Sequence, residues 1–236
     1  IEFRKKDIPD CPVHIHIAEQ IQEVKDCISV TGKRPVEYLL SNFDIDENWC
    51  LIHATHLTDE EVHSLARAKV VVGLCPTTEA NLGDGIFQAK KFLGARGRFA
   101  IGSDSHCSVD PREELRLLEY GQRLSLHQRA ILGSENESVG RQLYQMAAEW
   151  GGKALGVKTG KLGVGYRADL LVIDDQHSTV AGAQEDRLLD RFIFSNTGNP
   201  IAKRMIGGRW IEKEALAVQL AQSQKDFVEL NQRLLG

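Results

Sequence analysis

Histidines and carboxylates recur at three places in this sequence: His14-Ile-His16-Ile-Ala-Glu19, His53-Ala-Thr-His56 and Asp104-Ser105-His106. Neutral imidazole nitrogens and carboxylate oxygens are the ligands of a borderline cation such as zinc, and a carboxylate beside them can move protons to and from a water. His14 and His16 are two residues apart in an apolar run, so on a strand their side chains share a face. Glu19, three residues beyond His16, then puts a ligand and a general base across one strand end, within reach of one bound water. Taken singly, a strand histidine is most simply a core imidazole satisfied by backbone hydrogen bonds, and Thr55-His56 can be read as the start of a loop. Asp104 is sharper. It follows the apolar run Phe99–Ser103, where a carboxylate is costly to desolvate unless it binds a cation or receives several hydrogen bonds. The alternative, a helix-capping carboxylate, is already filled by Asp110 before Pro111. Ser105 and His106 then fall where they can orient it.

Residues so far apart in sequence need a scaffold that brings strand ends together. Over the first ~130 residues short apolar runs alternate with helical patterns, which predicts parallel strands joined by helical crossovers. Four strands are expected at Val13–Ala18, Trp49–Ala54, Val70–Cys75 and Arg98–Ser103, each apolar nearly throughout, as in a sheet covered on both faces. Thr58-Asp-Glu-Glu61 reads as a capping box and Asp110-Pro111 as a second helix start. A longer helix is expected from Ser138 to Leu155, closed by Gly156. Functional groups gather at the C-terminal ends of parallel strands, and three of the four strands end in titratable residues. Further on, glycines flank a strand at Leu170–Ile173, and strands are expected at Arg191–Ser195, Ala202–Ile206 and Arg209–Ile211, with Gly207-Gly208 as a hairpin turn. Leu216, Leu220, Phe227, Leu230 and Leu234 recur at helical spacing, which predicts a terminal amphipathic helix docked by its apolar stripe.

Composition narrows the partners. With 236 residues, 42% of them hydrophobic, the chain can bury a sizeable core. Its net charge of −4 and pI near 6.1 give no cationic field for nucleic acid or an anionic membrane, so a small-molecule substrate is expected. Five widely spaced cysteines without a CxxC pair fit thiols in a reducing compartment. There is no run long enough to span a membrane and no signal-peptide core, and the sequence starts without methionine. A cytoplasmic chain that begins mid-protein is the expectation.

The ordered set HxxE, then a histidine on the next strand, then SDSH resembles the deaminase branch of the amidohydrolase superfamily. The resemblance implies that His16 and Asp104 bind one Zn2+, that Glu19 shuttles protons, that His53 holds the developing oxyanion, and that Asp104 also helps activate water. His14, His56, Glu79, Ser105 and His106 are expected in supporting or substrate-binding positions. The implied fold is α/β: the C-terminal half of a (β/α)8 TIM-type metal-dependent hydrolase barrel over residues 1–158, part of a small β-sandwich over 159–212, with Gly160-Lys-Leu-Gly-Val-Gly-Tyr-Arg-Ala-Asp169 entering it, and a C-terminal amphipathic helix over 213–236. The strings HIHIAEQ (14–20), RPVEYLL (34–40), WCLIHATH (49–56), GLCPTTEANLGDGIF (73–87), IGSDSH (101–106) and EELRLLEYGQRL (113–124) narrow the resemblance to members that act on the formimino group of N-formimino-L-glutamate in histidine breakdown. A homodimer is also implied.

One departure matters. The branch carries zinc-binding HxH on the first barrel strand, whereas the HxH of this sequence belongs to the fifth-strand motif. Two ligands are fewer than a catalytic zinc takes, so zinc is expected to bind weakly without a complementary half, and the chain alone is expected to be inactive. Carboxylate-binding cations are expected in that half too, since the loops here are richer in Glu79 and Asp84 than in arginine. Alternatives within the branch are a nucleobase aminohydrolase, such as a guanine or cytosine deaminase, and imidazolonepropionase. A binuclear hydrolase would make His16 and His53 both ligands, which the glutamate of HxxE argues against. A non-catalytic chain that binds a partner through an open barrel edge is the alternative of another class.

Overall fold

The computed structural model describes residues 7, 8, 10–195 and 198–235, except the side chains of 186 and 213–216. The first six residues of the expected 1–158 unit and the side chain of Leu216 lie outside the described residues. Four parallel strands, β1 (Val13–Ile17), β2 (Trp49–His53), β3 (Val71–Leu74) and β4 (Arg98–Ile101), form one sheet in the order β1-β2-β3-β4. Chain order and spatial order coincide, with Val13 opposite Trp49, Cys50 opposite Val71 and Val71 opposite Arg98. All four C-terminal ends therefore open on one side.

The crossovers are helical: α1 (Ile21–Thr31) and α2 (Pro35–Asn42) after β1, α3 (Asp59–Ala68) after β2, α4 (Pro76–Leu82) and α5 (Ala89–Gly94) after β3, then α6 (Pro111–Leu126) and α7 (Val139–Ala154) after β4. The capping signals are realised. Thr58 Oγ1 accepts from the Glu61 amide at 3.2 Å while Glu61 accepts from the Thr58 amide at 2.8 Å. Asp110 accepts from the Arg112 amide, and Ser138 from that of Arg141. Val72, Leu74, Leu51 and Phe99 form the sheet core, against which Leu65, Phe92, Leu115 and Leu143 pack from the helices, while Val71 joins Cys50, Ala100 and Ala154 in a second cluster.

Three expectations need correction. β1 is not covered on both faces: His14, Ile15 and His16 are exposed, because among the described residues no helix packs closely on β1, whereas β4 at the other sheet edge is covered by a helix. The run expected as a strand at Arg191–Ser195 is the end of helix α8 (Asp186–Phe194). Leu189 and Ile193 fall four residues apart, so a short apolar run that fits either period is settled as helical by burial of one face. The terminal helix α9 (Lys213–Leu235) forms, but Leu220, Phe227, Leu230 and Leu234 are half to three-quarters exposed. Spacing dictates a helix; it does not supply the surface that would cover its stripe.

β5 (Leu170–Ile173), β6 (Ile201–Ile206) and β7 (Arg209–Trp210) make an antiparallel sheet, turned at Gly207 and Gly208, whose φ values of 56° and 81° suit a hairpin. Among the described residues no helix is long and apolar enough to cross a membrane.

One buried contact ties the scaffold to the strand ends. Glu114 on α6, 2% exposed, accepts from the Thr77 amide at 2.9 Å and from its hydroxyl at 2.5 Å, and so fixes the first turn of α4. Burial pushes the Glu114 carboxyl up in pKa, and the two Thr77 bonds oppose that rise. Glu114→Ala leaves both donors buried and unpaired, and we expect a loss on the order of 2–3 kcal/mol in urea denaturation. A loss below about 0.5 kcal/mol, the level of an ordinary surface substitution, would show that α4 is anchored elsewhere.

Candidate active site

Three strand ends turn abruptly at residues other than glycine. Ala18 after β1, His53 and Ala54 at the end of β2, and Asp104 after β4 all have left-handed backbone, with φ of 49°, 66°, 49° and 50°. Each such residue costs about 1–2 kcal/mol, and strain of this kind collects where a side chain must be aimed. Glu23 helps hold the first turn: its carboxylate accepts from the amides of Ala18 at 2.7 Å and Glu19 at 2.8 Å. Glu19 is thereby turned back over the strand ends.

His53 lies at the centre and is fully buried. Its Nδ1 is 3.3 Å from Glu79 Oε1, and the same oxygen accepts from the Cys75 amide at 2.9 Å. Its Nε2 faces Glu19 Oε1 at 3.7 Å and Asp104 Oδ2 at 3.8 Å. Burial pulls the imidazole pKa down, but the Glu79 hydrogen bond and the charges of Glu19, Glu79 and Asp104 outweigh it, so the net direction is up. Glu19 is also raised, first by burial and then by Asp84 and Asp104, against the lowering influence of His53 and His16. The His16 ring lies beside that of His53, centroids 5.6 Å apart.

The structure thus gathers His16, Glu19, His53, Glu79 and Asp104. Asp104 does not pay the burial cost its sequence position suggests: it sits in an exposed turn with its side chain 27% accessible, so the carboxylate reaches the site from the open side. Ser105 hangs from it, Oγ to Oδ1 at 3.4 Å. His14, His56 and His106 are placed differently. His14 Nε2 bonds the Ala154 carbonyl at the end of α7 at 2.7 Å, and His106 Nδ1 accepts from the Ser108 amide. His56 packs near Gly85, and its carbonyl accepts from Arg34, which also pairs with Glu61.

Two residues beyond the expected set join the site. Asp84 is 9% exposed and acts on Glu19 through its charge. Cys75 follows β3 directly, and one ligand atom each from His53, Cys75 and Asp104 lie within 4.8 Å of one another. Sequence offered a signal for both in the long loop string GLCPTTEANLGDGIF, but no short motif. Among the described residues, His53 Nε2, Thr55 Oγ1, His56 Nε2 and Asp84 Oδ2 are buried without hydrogen-bond partners. Imidazole, carboxylate and thiol donors around such orphaned atoms fit a borderline cation such as zinc.

Residues 4–211 match the amidohydrolase family. The chain belongs to that family. It is similar to formimidoylglutamate deiminase of Pseudomonas aeruginosa, 47% identical over 96% of this chain and 50% of the relative, and to 5-methylthioadenosine/S-adenosylhomocysteine deaminase of Pyrococcus abyssi, 30% identical over 93% of this chain and 51% of the relative. Among solved structures, an amidohydrolase from Brucella melitensis superposes with a TM-score of 0.81 at 44% identity, covering 87% of this chain and 45% of that one. A zinc-bound adenosine deaminase from Xanthomonas campestris gives 0.78 at 25% identity, covering 94% and 52%. The chain spans about half the length of these amidohydrolases.

The Glu79 contact predicts a pH effect. A raised folded-state pKa means that protonated His53 adds stability that is fully present below the unfolded imidazole value near 6.5 and is lost as pH rises through the higher folded value. In metal-free protein Glu79→Gln should move the His53 midpoint, followed by NMR, downward. An unmoved midpoint would show that Glu79 does not set it.

Proposed function

We propose that this chain is the catalytic C-terminal half of a formimidoylglutamate deiminase, hydrolysing N-formimino-L-glutamate to N-formyl-L-glutamate and ammonia in histidine degradation. Supporting this reading most directly is the 47% identity over nearly the whole chain, joined to a site where Glu19, His53 and Asp104 face one another. The sheet supports a barrel half: parallel strands that neighbour one another in chain order belong to a (β/α)8 barrel, whereas a doubly wound sheet reverses its order. On this reading residues 1–158 are barrel, 159–212 part of a β-sandwich and 213–236 a terminal helix, in a cytoplasmic enzyme that works as a homodimer.

His16 and Asp104 would hold zinc together with ligands from the half of the relatives' length that this chain does not span. When bound, zinc lowers the pKa of water toward neutrality and withdraws electrons from the reacting centre. The residues of this chain move the protons. Glu19, held by its amide against Glu23 and raised in pKa by burial, takes one proton from the attacking water and returns it to the departing nitrogen, and Asp104 accepts the second water proton, which leaves with the ammonia as the carbonyl forms. His53 keeps Nε2 directed at the tetrahedral carbon's oxygen, because Glu79 fixes the other ring nitrogen. One water is consumed for each ammonia released.

The test is ammonia release from N-formimino-L-glutamate by a protein carrying this chain with the remaining half of its relatives' length. Glu19→Gln should reduce kcat roughly 10²–10⁴-fold. Turnover of a nucleobase, a nucleoside or an imidazolone in place of the formimino substrate would move the assignment within the family. Full activity in Glu19→Gln would remove the proton-shuttle role.

A further inference from the structure

Cys75 is not needed for the chemistry proposed above, yet it belongs to the same cluster. It is 5% exposed and lies at the C-terminal end of β3, between the ends of β2 and β4 that carry His53 and Asp104. Gly102, across from it on the chain segment leaving β4, has no side chain, and a Cβ there would stand 3.7 Å from Cys75 Sγ. Gly102 therefore leaves that side of the thiol without a side-chain neighbour of its own. Among the described residues, His53, Cys75 and Asp104 are the group whose donor atoms converge closely enough to share an ion.

We propose that His53 Nε2, Cys75 Sγ and the Asp104 carboxylate form a second cation position, for a thiophilic divalent ion, zinc in excess or cadmium, which shares Asp104 with the position assigned to His16 and Asp104 but differs from it in its sulfur ligand. Three observations on geometry carry it. His53 Nε2 is fully buried and has no hydrogen-bond partner. Glu79 occupies Nδ1 at 3.3 Å, which is the carboxylate–imidazole arrangement that leaves the Nε2 lone pair pointing at a metal. One ligand atom from each residue lies within 4.8 Å of the others, while ligands around tetrahedral zinc stand roughly 3.3–3.8 Å apart, so closure asks for at most about 1 Å of movement. His53 Nε2 and Asp104 Oδ2 already stand at 3.8 Å, so the adjustment falls on the distances to Cys75 Sγ.

The charges balance. One dication meets one thiolate and one carboxylate, with neutral imidazole as the third donor; the Cys75 thiol proton passes to water as the metal–sulfur bond forms. Sulfur is what distinguishes the position, since thiolate favours soft ions over magnesium or calcium. Its consequence for catalysis rests on the role proposed for His53: an ion there takes the nitrogen that faces the reacting oxygen, so excess metal inhibits.

The experiment is cadmium titration of the intact chain, read by the ultraviolet absorption of a cadmium–thiolate bond. The band should saturate with one ion per chain, persist when Cys11, Cys27 and Cys107 are all changed to Ser, and vanish in Cys75→Ser with at least a tenfold weaker affinity. A band that survives Cys75→Ser overturns the proposal. Cadmium bound without any thiolate band also overturns it while leaving a His16 and Asp104 site intact, so the two readings fail separately. Should Cys75→Ser not fold, zinc X-ray absorption on the unsubstituted chain decides: one sulfur at about 2.3 Å is expected, and a shell of nitrogen and oxygen alone refutes it.

Discussion

Carboxylates crowd one buried imidazole, and that crowding organises the rest of the site. His53 has Glu79 on one ring nitrogen and Glu19 and Asp104 facing the other, with Asp84 acting on Glu19 from behind. Negative groups so placed raise one another's proton affinity unless positive charge sits among them. Protonated His53 supplies part of that charge, which is why its pKa rises despite complete burial. A bound dication would supply more. The cluster is thus built for a cation, and both a proton and a metal answer the same electrostatic demand.

Holding these groups together costs backbone energy, and the cost is met locally. Left-handed residues end three strands, and each turn carries hydrogen bonds: the Ala18 and Glu19 amides donate to Glu23, the Ala54 amide to the Ile17 carbonyl, and across the Asp104 turn the His106 amide donates to the Ser103 carbonyl. Bracing of this sort comes from neighbouring strands and from the first turns of helices, elements whose positions the core fixes through Leu51, Val72 and Phe99. The same core that makes the sheet therefore sets the aim of Glu19, His53 and Asp104.

How much of this was legible in sequence follows from which interactions are local. The strands, the Thr58 box and the Asp110 and Ser138 caps are written in neighbouring residues, so spacing alone located them within a residue or two. His16, Glu19, His53 and Asp104 were legible as strand-end groups because a parallel sheet places all such ends on one side. His14 was not: alternation put it on the same face as His16, but its ring is taken by the Ala154 carbonyl, a partner 140 residues away. The α8 segment and the exposed stripe of α9 were misread for a similar reason, since both depend on what lies across from them.

Cys75 shows the limit most clearly. In sequence it is one thiol among five, with no partner at metal-binding spacing, and a lone buried cysteine is ordinarily a small apolar side chain. In the fold it stands beside His53 and Asp104, and burial with the nearby Glu79, Asp104, Glu114 and Glu19 charges pushes its pKa up to about 12. Cys50, buried in the same sheet but away from those carboxylates, is pushed to about 11 by burial alone. Burial raises both thiols, and only at Cys75 do nearby carboxylates add to it. Burial first, and then the crowding that raises the imidazole, disfavours the Cys75 thiolate, and a cation entering the cluster would reverse the local sign of charge and favour it.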